Sequence, residues 1–108
     1  IALTVCEDLW NIDGEDLYFK DPMDVYGPLQ PDLVVNIAAS PFSYIQREKR
    51  REIMLWHAKK QNVPVVYVNK CGAQTELIFD GGSMVMMPDG NTAVEMKYFE
   101  EDFCIYDT

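Results

Sequence analysis

An α/β fold is predicted for this chain: a mixed sheet with a parallel strand–helix–strand core, extended by an antiparallel hairpin. Three observations carry the prediction. Short apolar runs with β-branched members occur at 1–5, 33–39 and 64–69. A long helical segment separates the second run from the third. The turn signal Asp89-Gly90-Asn91 then separates two further runs. Runs without polar alternation suit parallel strands covered on both faces. Parallel neighbours need a crossover, usually a helix.

The elements follow in order. Ile1–Val5 is a buried strand that stops at Cys6-Glu7-Asp8. Residues 11–32 are acidic and broken by Gly14, Pro22, Gly27, Pro28 and Pro31. Only a turn of helix near Met23–Tyr26 is expected there. Leu33–Ala39 is the second strand. Ser43 with Gln46 three residues on is a capping-box pattern. The helix it opens is predicted to run to about Gln61, where Asn62 ends it and Pro64 forbids continuation. Arg47, Lys49, Arg50 and Arg51 on this helix are interleaved with Glu48 and Glu52, which reads as a solvated face. Pro64–Asn69 is the third strand. Asp80-Gly81-Gly82 is a turn needing positive φ. Met84–Pro88 and Thr92–Met96 form the hairpin around Asp89-Gly90-Asn91. Phe103–Tyr106 is a last short strand.

Composition narrows the function. The chain has 108 residues, enough for one domain. Its net charge of −9 argues against nucleic acid and anionic membranes as partners. No run approaches the roughly 20 apolar residues of a membrane-spanning helix. The three cysteines are odd in number and widely spaced, without Cys-x-x-Cys. That pattern opposes a disulfide framework and a structural zinc site, and no metal is expected. Free thiols suit a reducing compartment, so a cytoplasmic location is expected. Ile1 already opens a core strand, so the chain reads as a piece of a longer protein.

In open α/β sheets, chemistry gathers at the carboxyl ends of the strands. Cys6, Ser40 and Cys71 each follow one of the three strands and are expected to line one crevice. Cys6, on a sharp turn, is a candidate nucleophile beside backbone N–H groups. Packing alone also accounts for a cysteine there. His57, the only histidine, reads as a helix-face residue, and Cys104 as core or surface.

The order of the motifs says more. Cys6-Glu7-Asp8-Leu9-Trp10 follows the first strand. Asn36-Ile37-Ala38-Ala39-Ser40-Pro41-Phe42 ends the second, with Arg47 beyond. Val68-Asn69-Lys70-Cys71-Gly72 ends the third, and Phe79-Asp80-Gly81-Gly82-Ser83 precedes the hairpin. This series resembles the carbon–nitrogen hydrolase (nitrilase) superfamily. The first two motifs resemble the glutamine-hydrolysing domain of the glutamine-dependent NAD synthetase family.

The resemblance implies a four-layer αββα sandwich, of which residues 1–108 are the C-terminal part. It implies that Cys6 attacks the side-chain amide of L-glutamine and forms a thioester with release of ammonia. It places Glu7, Trp10, Ser40 and Arg47 around the substrate, Glu7 toward the α-amino group and Arg47 toward the α-carboxylate. The family's base glutamate and oxyanion lysine precede the nucleophile, in the half of the domain not expected in this chain. The chain alone is therefore expected to be inactive, to expose apolar surface and to form a homo-oligomer. No cofactor is expected in these residues. ATP and magnesium would belong to a synthetase domain elsewhere in the protein. Two alternatives stand beside this reading: part of another nitrilase-superfamily amidase, and a non-catalytic α/β assembly module.

Overall fold

The structure, a computed structural model, describes residues 1–12 and 17–108. Gly14, named above as a breaker, lies outside the described residues. The chain runs β1 (Ala2–Val5), a 3₁₀ turn (Cys6–Leu9), α1 (Pro22–Tyr26), a second 3₁₀ turn (Gly27–Leu29), β2 (Val34–Ala38), α2 (Gln46–Gln61), β3 (Val65–Asn69), β4 (Cys71–Gln74), β5 (Leu77–Asp80), β6 (Met84–Met86) and β7 (Thr92–Glu95).

Five strands form one sheet in the order β1-β2-β3-β6-β7. β1, β2 and β3 are parallel, with Thr4 opposite Asn36 and Ala38 opposite Asn69. β6 and β7 add antiparallel to β3. β4 and β5 make a separate two-stranded sheet. The mixed α/β sheet is thus the one expected.

Local chemistry explains most boundaries. Asp21 caps α1, its side chain accepting from the Met23 N–H at 2.8 Å, and Pro22 takes the first helical position, where its missing N–H is harmless. α2 ends at Asn62, which adopts the left-handed conformation at φ 55° and donates to the carbonyls of Ala58 and Lys59. In the β6–β7 turn the Met87 N–H donates to the Asn91 carbonyl at 2.9 Å, and Gly90 sits at φ 97°. Gly81 and Gly82 have φ of 66° and 64°, the positive values expected of the turn after Asp80. A Cβ on Gly82 would lie 2.2 Å from the Tyr98 ring, so this turn also needs the space glycine leaves.

Two expectations are corrected. The capping box at Ser43 does not form. Ile45 caps α2 without a side-chain bond, and Gln46 instead donates to Ser40 Oγ at 3.4 Å. Phe103–Tyr106 is not a strand. β4 and β5, which were not anticipated from the sequence, pair although their sequence lacks a clear alternating pattern. Among the described residues the sheet is covered on one face only, which leaves the exposed apolar surface expected above. Val34, Asn36, Val65, Tyr67, Met84 and Met86 pack toward Ile53, Met54 and Ala58 of α2. Leu3, Val5, Ile37 and Val68 on the opposite face are exposed. Strands apolar on both faces suit coverage on both sides, and the described residues cover one of them.

Candidate functional site

β1 ends at Val5, and the chain turns sharply at Cys6. Cys6 has φ 49°, an unusual value for a residue with a side chain. The turn closes when the Trp10 N–H donates to the Glu7 carbonyl at 2.9 Å. Asp8 ties it back to the strand, accepting from the Val5 N–H at 2.8 Å. His57 anchors its far end: Nε2 lies 2.7 Å from the Leu9 carbonyl. A carbonyl only accepts, so Nε2 carries the hydrogen. His57 is fully buried, which lowers its pKa, and its Nδ1 has no partner among the described residues.

Cys6 is exposed and lies in a crevice of about 530 Å³. Glu7, Trp10, Tyr18, Lys20, Ser40 and Gln46 share its walls. The walls come mainly from four places: the turn after β1, the segment 17–20, the end of β2 and the start of α2. Asn11 holds the second of these. Its Oδ1 accepts from the N–H groups of Leu17 and Tyr18, each at 3.0 Å, and its Nδ2 donates to the Tyr18 carbonyl at 2.9 Å. The Tyr18 hydroxyl donates to Glu7 Oε2, which raises the phenol pKa above its ordinary value.

Four of the five sequence-predicted residues therefore meet: Cys6, Glu7, Trp10 and Ser40. Arg47 does not line this crevice. Its guanidinium donates to Glu95 at 3.0 Å and stacks 4.6 Å from the centre of the Tyr98 ring. Cys71 does not line it either, contrary to the expectation of one crevice for all three strand-end residues. Cys71 and Cys104 both line a second cavity of about 640 Å³, between Val66, Val68 and Val94 of the sheet and Phe103 and Tyr106 of the C-terminal segment.

The basic helix is not a plain solvated face. Arg50 is 2% exposed and forms a two-pronged pair with Asp80, which is 1% exposed. Arg47 and Arg51 share Glu95, and Arg51 also reaches Thr92 Oγ1 at 3.0 Å. His57 likewise faces the core and not the helix surface. Among the described residues no group of three or more His, Cys, Asp or Glu side chains is placed to hold a metal. No helix among them is long and apolar enough to cross a membrane.

Sequence reasoning missed Tyr18, Lys20 and Gln46. The only signal for the first two is that aromatic and basic residues follow the acidic stretch. The signal for Gln46 was read as a cap.

The fold is similar to that of a carbon–nitrogen hydrolase. The chain superposes on a carbon–nitrogen hydrolase from Helicobacter pylori with a TM-score of 0.75, over 92% of this chain and 36% of that one, at 18% identity. That likeness is one of fold. No family model matches the chain. Its sequence relatives are glutamine-dependent NAD(+) synthetases. It is 37% identical to the one from Synechocystis over 108 residues, which covers 97% of this chain and 19% of that protein. It is 32% identical to the one from Thermotoga maritima, covering 99% and 18%. The structure of the Acinetobacter baumannii glutamine-dependent NAD+ synthetase matches with a TM-score of 0.79 and 31% identity, over 93% of this chain and 18% of that one. The chain thus spans about a fifth of the length of the curated relatives it matches.

Proposed function

We propose that the chain is part of a glutamine-hydrolysing domain that supplies ammonia for amidation of an NAD precursor. The observation that carries this is an exposed cysteine held at φ 49° at the carboxyl end of a parallel strand, in a chain similar over nearly its whole length to glutamine-dependent NAD synthetases. Residues held in sparsely populated backbone conformations cluster at active sites.

In this reading Cys6 Sγ bonds to the side-chain amide carbon of glutamine. The C–N bond breaks, and the nitrogen leaves as ammonia after taking up a proton. Water then attacks the thioester, the C–S bond breaks, and glutamate and the thiol return. Cysteine suits the task because it is intrinsically nucleophilic near neutral pH. Ser40 and Trp10 shape the crevice, and Glu7 meets the substrate α-amino group after releasing Tyr18. Arg47 enters on the motif resemblance alone and must leave Glu95 to reach the substrate. The general base and the oxyanion lysine are assigned to sequence upstream of Ile1. ATP and magnesium are assigned to a separate synthetase domain, and the protein to the cytoplasm. The exposed sheet face is covered by the rest of the domain or, in the 108-residue chain alone, by a second copy.

A second reading is favoured by Arg47, which is engaged away from the crevice: an amidase for a small amide that needs no carboxylate partner. Ammonia release from L-glutamine tests both. The 108-residue chain, the chain extended upstream to its natural start, and the extended chain with Cys6→Ala are compared. Activity only in the extended wild type supports the glutaminase. In that form Glu7→Gln or Arg47→Ala abolishes glutamine turnover under the first reading. Under the second, glutamine is a poor substrate throughout and small amides are turned over without either residue.

A further inference from the structure

Two buried asparagines do work for this site that its proposed chemistry leaves unassigned. Asn36 on β2 is 0% exposed and Asn69 on β3 is 7% exposed. Asn36 stands opposite Thr4 in the sheet, and its Nδ2 reaches past that partner to the carbonyl of Cys6 at 3.2 Å. Asn69 stands opposite Ala38, and its Oδ1 reaches past it to accept the Ser40 N–H at 2.9 Å. The geometry repeats. Each asparagine holds the residue two beyond its own register partner, on the neighbouring parallel strand, at the point where the chain leaves the sheet.

The hydrogen bonds leave no freedom in how Asn36 is turned. Thr4 Oγ1 donates to the Val35 carbonyl at 3.2 Å, so it accepts from Asn36 Nδ2 at 2.9 Å. The Cys6 carbonyl can only accept. The NH₂ group must therefore face both, and Oδ1 is left buried without a partner among the described residues. A buried carbonyl without a partner is unfavourable, so the amide is poorly explained as a packing group. Its Nδ2 donates to Thr4 and to Cys6, the residue with the strained φ. Asn69 is tied in turn: its Nδ2 donates to the Gly81 carbonyl at 2.9 Å, and its N–H donates to Ser83 Oγ at 3.0 Å. That anchors the end of β2 to the glycine turn beside the buried Arg50–Asp80 pair.

We propose that Asn36 and Asn69 are positioning residues of the crevice: Asn36 holds Cys6 in its strained turn and Asn69 holds Ser40 beside it, so that the two strand ends keep one fixed separation. The role attached to Cys6 rests on the reading above, whereas the positioning itself does not need it.

The test uses the complete gene product and two readouts. The first is alkylation of Cys6 by iodoacetamide, followed by peptide-resolved mass spectrometry with Cys71 as the internal reference. Asn36→Ala and the near-isosteric Asn36→Asp both remove the donor to the Cys6 carbonyl. Each is expected to change the Cys6 alkylation rate constant by about threefold or more, because thiol reactivity follows its surroundings, and to leave Cys71 at its wild-type rate. Asn69→Ala is expected to leave Cys6 at its wild-type rate. The second readout is the single-turnover rate constant for acyl-enzyme formation from glutamine. It is expected to fall about tenfold or more in the Asn36 variants, the scale expected for a misplaced reacting atom. In Asn69→Ala the KM for glutamine is expected to rise with that rate constant little changed. An unchanged Cys6 rate in both Asn36 variants overturns the proposal. So does a change shared by Cys6 and Cys71, which marks general loosening. A Cys6-specific change together with no acylation of the wild type by glutamine upholds the positioning role and overturns the glutaminase reading instead.

Discussion

Arg50 and Arg51 are adjacent on α2, point about 100° apart around its axis, and meet opposite fates. The Arg50 side chain is 2% exposed and grips Asp80 with both prongs, whereas that of Arg51 is 31% exposed and shares Glu95 with Arg47. His57 lies two turns along from Arg50, on the same buried side. One face of the helix therefore carries polar groups that have lost water and depend on their partners. The other carries ion pairs that water and salt can replace. The chemistry of the two faces is alike, and desolvation sets the difference in consequence. Removing one partner of a buried pair leaves an uncompensated charge, whereas an exposed pair contributes little.

The largest effect is expected at the buried pair. Arg50→Ala should destabilise by about 3–5 kcal/mol in a denaturant titration, the usual cost of stranding a buried charge. The double change Arg50→Met with Asp80→Leu should cost far less, because no charge is stranded. If the double variant is as unstable as the single one, burial of charge is not what distinguishes the two faces.

An intermediate effect is expected at His57. Burial lowers its folded-state pKa below the ordinary value near 6.5. The unfolded chain then takes up the proton first. Stability should be constant above that value and fall as pH drops below it, levelling off below the lowered folded pKa. The slope in this window approaches about 1.4 kcal/mol per pH unit for one proton. Unfolding at several pH values checks this, and His57→Gln should remove that slope. The smallest effect is expected at the surface. Glu95→Ala should cost about 1 kcal/mol or less and lose its effect in high salt. A larger, salt-insensitive loss would make the two faces equivalent.

Much of the fold was legible because it is local. The apolar runs marked β1, β2 and β3. Asn62 and Pro64 marked the end of α2, and Asp89-Gly90-Asn91 marked the β6–β7 turn. The β4–β5 hairpin was not legible, since Cys71–Gln74 carries no alternating pattern and is held by its partner strand. The same split runs through the site. Cys6, Glu7, Trp10 and Ser40 were found because they sit beside strand ends. Arg47 stands elsewhere because Glu95 and Tyr98, distant in sequence, receive it. Tyr18 reaches the crevice because Asn11 pulls the 17–20 segment back toward the turn.

By itself, the sequence determined where β1, β2 and β3 lie and where α2 ends, and that a cysteine stands where the first strand stops. Those features depend on neighbours within a few residues, through backbone preference and hydrophobic run length. The tertiary structure alone decided which polar side chains lose their water. Whether an arginine is a buried strut or a surface ion pair, and whether an asparagine is idle or holds Cys6, depends on the rotation of α2 and the register of β2 and β3. Burial against a distant partner sets both, and no local pattern encodes that partner.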